Sequence, residues 1–91
     1  MANVVVSGSY KQISASANCS KVACNLLGIF VSAASSTPTI TVYDDSGTGT
    51  STKMVDTFTP SAGTYYKLPF CAANGVYVVI SGTVSCTVAT A

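Results

Sequence analysis

Short runs of β-branched and aromatic residues, broken by Gly, Pro, Ser and Asn clusters at roughly 8–12-residue intervals, leave this chain little to form except antiparallel sheet. The clearest runs are Asn3–Ser7, Thr39–Tyr43, Lys53–Thr59, Thr64–Leu68, Gly75–Ser81 and Thr83–Thr90. In Thr39–Tyr43, Ile40 and Val42 alternate with Thr39, Thr41 and Tyr43, the period-2 pattern of a half-buried strand. Val76, Val78 and Ile80 share one face of the next-to-last run, and Val84, Cys86 and Val88 share one face of the last. Tyr10–Ser16 alternates weakly, as an edge strand does, and Ala17–Lys21 is polar and loop-like. A helix over Lys21–Leu27 is allowed by propensity, but Gly28, Ile29 and Val31 favour strand from Leu26 to Ala33. Pro38 suits the first residue of a strand after a turn at Ser35–Pro38. Asn74-Gly75 is a strong hairpin dipeptide.

No crossover segment long enough for parallel pairing is present. The expected fold is therefore a single domain, residues 1–91. It is an all-β antiparallel β-sandwich, jelly-roll or Greek-key-like, of seven to eight short strands. The expected core is Ile29, Val31, Ile40, Val42, Met54, Phe58, Val78, Ile80, Val84 and Cys86. Asp56 falls between Met54 and Phe58 on an apolar face. It must either escape to solvent at a strand end or pair with Lys53, Lys67 or backbone N–H groups.

Charge is scarce. The chain has four basic and three acidic residues in 91, with no His, Trp, Arg or Glu. Without His, a Ser–His or Cys–His nucleophile pair cannot be built. Three Asp residues, two of them adjacent, make a poor general acid–base pair. The Gly47–Lys53 stretch has the glycines and lysine of a phosphate loop in the wrong order, and no helix follows it. Asp44-Asp45-Ser46-Gly47 offers oxygen ligands but lacks calcium-loop spacing, so a solvated turn is expected. No catalytic, cofactor-binding or metal residues are assigned, and no cofactor is expected. A net charge of +1 gives no nucleic-acid footprint. The longest apolar run, Leu26–Val31, has six residues, far below the roughly 20 of a membrane helix, and the N-terminus has no secretory signal pattern. Cys19, Cys24, Cys71 and Cys86 are read mainly as free, buried thiols, with disulfides left open and zinc disfavoured by the spacing.

A surface this short of charge gives little mutual repulsion, which favours packing against copies of itself or a larger assembly. Candidate contact residues are Val4, Val5 and Val6, whose exposure on a monomer would invite aggregation, and Tyr10, Tyr65 and Tyr66. Tyr65 and Tyr66 are adjacent, so on a strand only one of them can face the core.

The stretch Cys24–Val88 resembles small proteins encoded near the capsid genes of tailed bacteriophages. The shared elements read Gly28–Val31 (G-x-F-V), Thr39–Asp44, Lys53–Pro60, Tyr65–Pro69 and Gly75–Thr83 here. The resemblance implies a non-enzymatic virion structural role as a capsid decoration, or cement, protein made in the host cytoplasm and sited on the capsid surface. The implied partners are the major capsid protein and the chain itself, as a dimer or trimer, with no nucleic acid and no membrane. The alternative is a head- or tail-fibre adhesin module that binds host glycans. The family pattern brings no catalytic residues.

Overall fold

The computed structural model describes residues 9–91. Six strands occur in this span: β1 (Ser9–Ile13), β2 (Ala17–Ser20), β3 (Cys24–Tyr43), β4 (Lys53–Phe58), β5 (Thr64–Ala72) and β6 (Val76–Thr90). No helix forms among the described residues. All strand pairings are antiparallel, as the alternation and short connections require. The hydrogen bonds join all six strands into one sheet, curled into a half-barrel, in place of the separate sheets of the expected sandwich.

Two long strands explain both the lower strand count and the curl. β3 is 20 residues long and β6 is 15, and they pair with each other from Leu26↔Thr90 to Tyr43↔Tyr77. At about 3.3 Å per residue a straight β3 would measure about 66 Å, whereas the longest extent of the molecule is 46 Å. The strand must therefore bend. The bend lies where the sequence suggested turns, at Ser35–Pro38 and Gly82. Those two sites face each other in the ladder: Ser35 pairs with Thr83, Thr39 pairs with Ser81, and the register shifts between them. Gly82 has φ 82° and Thr37 has φ 51°. Two turn signals in register kink the ladder without breaking it.

The kink divides the sheet into two halves with shared central strands. In the first half the order is β1, β6, β3, β5; in the second it is β2, β6, β3, β4. The Ala17–Ser20 segment, expected as loop, is the edge strand of the second half. Asn74-Gly75 does not close a hairpin, since β5 pairs with β3 and β6 with β1, β2 and β3. Pro69 lies inside β5, not after it. There Leu68 and Pro69 together oppose Leu27, a bulge on an edge strand, where the missing N–H costs no ladder bond.

The inner face holds the core: Ile13, Leu26, Ile29, Val31, Ile40, Val42, Ala72, Val76, Val78, Val84, Cys86 and Val88. Full burial of each Val, Leu or Ile contributes about 1.5–3 kcal/mol against the cost of ordering the chain. Seven of the ten core residues expected from sequence are buried; Met54, Phe58 and Ile80 are only partly so and pack on its margin. Phe58 meets Tyr66 across the connection from β4 to β5, with ring centroids 5.0 Å apart. Asp56 does not share the face of its neighbours. Asp56 and Thr57 lie between the registers Ile40↔Phe58 and Val42↔Val55, and this bulge turns Asp56 outward. There it pairs with Lys53 at 3.0 Å and accepts the Thr57 N–H.

Candidate functional site

Three places could carry chemistry or recognition: the thiols, the Asp44-Asp45 loop, and the outer face of the first half-sheet.

All four cysteines are free thiols. Cys24 pairs with buried Ala72, while exposed Cys71 pairs with Asn25, so the two sulfurs sit on opposite faces of the β3–β5 ladder. Burial pushes the thiols of Cys19 and Cys86 up to about 11. They stay protonated near neutral pH and are weak nucleophiles.

The Asp44-Asp45 loop is a backbone clamp. The Asp44 carboxylate accepts N–H bonds from Asn74 at 2.8 Å, Ala73 at 3.0 Å and Gly75 at 3.3 Å. These bonds hold its pKa below the ordinary carboxylate value. Asp45 Oδ2 accepts the N–H groups of Gly47 and Gly49, and Asn18 Nδ2 donates to the carbonyls of Asp45 and Gly47. Both aspartates thus spend acceptor capacity on main-chain donors, which is the role of Asp in a folded-back turn. No group of three metal-ligating side chains occurs among the described residues.

The outer face of the first half-sheet is different in kind. Register neighbours across its four strands form two rows: Tyr10, Ala89, Gly28, Lys67, and Gln12, Thr87, Phe30, Tyr65. Tyr10 is 78% exposed, Tyr65 51% and Phe30 42%. Leu27, Tyr65, Lys67 and Pro69 line a surface depression on this face. Lys67 is the one charged side chain in the two rows. Among the described residues, the ion pair present is Lys53–Asp56, far along the sheet.

Gly28 makes the arrangement possible. A Cβ there would run into the Tyr65 hydroxyl and ring, and into the Tyr66 carbonyl oxygen at 2.5 Å. Without it, the hydroxyl end of Tyr65 packs close against the β3 backbone at Gly28. Aromatic cover over a strand glycine fixes the ring and protects the hydrogen bonds beneath it.

The contact residues expected from the sequence therefore divide. Tyr10 and Tyr65 stand on the outer face. Tyr66 points inward, packs on the core and accepts the Ser61 N–H at 2.8 Å, so it is not a surface contact. Val4, Val5 and Val6 lie outside the described residues. Phe30, Leu27, Lys67 and Pro69 join the surface without having been expected there. Phe30 was legible: between Ile29 and Val31 on a strand, it must point opposite to them.

No protein-family model, curated protein or solved structure matches this chain.

Proposed function

We propose that this protein is a non-enzymatic structural unit of a virion. It would act as a decoration protein that stabilises a phage head by binding the major capsid protein and copies of itself. The observation that supports this reading is the outer face: Phe30 and Tyr65 are exposed as register neighbours and Tyr10 stands on the same face at the opposite edge, with Lys67 as the single charge in these two rows. Aromatic side chains on a preformed surface are what protein interfaces bury, and few charges need desolvating as they do so. A capsid repeats its sites many times, so modest contacts gain by avidity.

The test is binding of purified protein to expanded empty phage capsids in a sedimentation assay. Burial of apolar surface is not screened by salt, so attachment should survive 1 M NaCl, at which the Debye length is about 3 Å. Replacing Phe30 and Tyr65 by Ser should weaken attachment at least about tenfold, the loss of one or two anchor residues. Release at moderate salt, or unchanged binding by the double variant, would defeat the proposal. The depression around Tyr65 and Lys67 favours a second reading, a glycan-binding adhesin module. A glycan-array signal without capsid binding would select it.

A further inference from the structure

We propose that Asn74-Gly75 is a deamidation site held shut by the Asp44 carboxylate, and that conversion of Asn74 to isoaspartate unlocks the loop irreversibly. This chemistry is independent of capsid binding, and its test uses no capsid.

The sequence supplies the reaction. Asn74-Gly75 is a hairpin dipeptide that closes no hairpin. Among the four asparagines, Asn74 alone precedes glycine; Asn3, Asn18 and Asn25 precede Val, Cys and Leu. A side chain on the following residue crowds ring closure, and Gly75 has none. The main-chain nitrogen of Gly75 attacks Cγ of Asn74. The N–Cγ bond forms, the Cγ–Nδ2 bond breaks, and the Gly75 amide proton leaves with the side-chain NH2 as ammonia. Water then opens the ring at either carbonyl. One opening leaves aspartate at position 74. The other leaves isoaspartate, with the main chain lengthened by one carbon. Asn74 is exposed, so ammonia can leave and water can enter.

The fold supplies the guard. The Gly75 N–H donates to Asp44 Oδ1 at 3.3 Å, the Asn74 N–H to the same oxygen at 2.8 Å, and the Ala73 N–H to Oδ2 at 3.0 Å. Ring closure passes through the deprotonated Gly75 nitrogen, and a carboxylate 3.3 Å away opposes a second negative charge there. Gly75 is also buried. The place where its Cβ would stand is hemmed by the Ser20 carbonyl, by the Asp45 carbonyl at 2.6 Å and by Ser46 Cα at 3.0 Å. The loop must therefore open before the ring can close.

The same packing makes the change one-way. Isoaspartate adds a main-chain atom just ahead of a residue with no room to shift. It also places a new carboxylate on the Cα beside the N–H that Asp44 holds, and like charges repel. The three bonds to Asp44 cannot re-form together.

The experiment ages the parent in mildly alkaline buffer, native and in urea, beside the native variants Asp44→Asn and Ile29→Val. Peptide mass mapping reads the amide-to-acid mass gain at each asparagine, and enzymatic methylation reads isoaspartate. The native parent should deamidate far more slowly at Asn74 than the parent in urea. Asp44→Asn should deamidate there about 5- to 30-fold faster than the native parent, the factor expected for loss of one or two net hydrogen bonds. Ile29→Val loosens the core away from the loop and should keep the parent's rate. Because Asp44→Asn could misfold, amide exchange in the parent supplies an independent reading. Folding should slow exchange of the Gly75 amide and deamidation of Asn74 by the same factor, since one opening serves both. Parent that is converted in urea and refolded should show fast exchange at Ala73, Asn74 and Gly75 in its isoaspartate fraction. Equal native and urea rates, an Asp44→Asn variant no faster than the parent, or an Ile29→Val variant as fast as Asp44→Asn would overturn the inference. So would an isoaspartate form that keeps these three amides protected.

Discussion

Asp44 is the residue on which the second half of the sheet is organised. Its carboxylate gathers three main-chain N–H groups at the entrance to β6, and Asn18 ties the same loop to β2. The N–H bonds from Asn74, then Ala73 and Gly75, favour the ionised form and lower its pKa from 3.8. The unfolded chain therefore takes up the proton at higher pH than the folded one. The stabilisation is fully present above about pH 4 and is lost as pH falls through the folded value. Asp44→Asn should cost about 1–2 kcal/mol at pH 7, discounted because solvent reaches the carboxylate. Urea melts at pH 7 and at pH 2.5 should show the gap between parent and variant closing with acid. A gap that is the same at both pH values would mean the clamp does not act through charge. Gly28 shows the same economy at a single position, since one missing methyl group lets the hydroxyl end of Tyr65 pack against the backbone while the residue stays part of the surface.

At the scale of elements, the kink in the β3–β6 ladder carries the architecture. Gly82 sits at φ 82°, where a Cβ is strained, and Thr37 sits at φ 51° despite being β-branched. Gly82→Ala should destabilise the protein by about 1–2 kcal/mol, and Thr37→Gly should stabilise it by up to about 1 kcal/mol through relief of the same strain. Thermal melts of the two variants moving in the same direction would show that the kink is not held by these backbone states. This element also marks where sequence reading stops. The antiparallel all-β class was legible because alternation in Thr39–Tyr43 and Val76–Thr90 is local. The strand count was not, because Ser35–Pro38 and Gly82 carry turn chemistry and only their pairing partners decide whether a turn reverses the chain or merely bends it. Asp56 misled for a related reason: a bulge shifts the period by one residue and moves a side chain to the other face. The polar Ala17–Ser20 run is a strand because β6 offers it an edge, not because of its own propensity. For the outer face, alternation requires Phe30 to point away from Ile29 and Val31 and one of Tyr65 and Tyr66 to point out, but which tyrosine it is, and that it stands beside Phe30, needed the register Phe30↔Tyr65.

For the whole molecule, the shared central strands mean that the two half-sheets cannot unfold independently. β3 and β6 run through both, β1 at the start of the described chain pairs with the end of β6, and the buried residues form one cluster. Shared central strands oppose fraying at one edge, which would expose strand edges to wrong partners. The expected consequence is a single cooperative transition. Ile29→Val removes one methylene from the first half and Val42→Ala removes two methyl groups from the second. Each should lower stability, by about 0.5–1.5 kcal/mol for the former and by at least as much for the latter. Both should shift the same transition, with far-UV circular dichroism and tyrosine fluorescence coincident in denaturant. Tyr66 reports on the first half and Tyr43 and Tyr77, with rings 6.2 Å apart, on the second. If Val42→Ala moved one probe and left the other in place, the halves would be separate folding units. The long β3–β6 ladder would then be a hinge between them and not the spine of one domain.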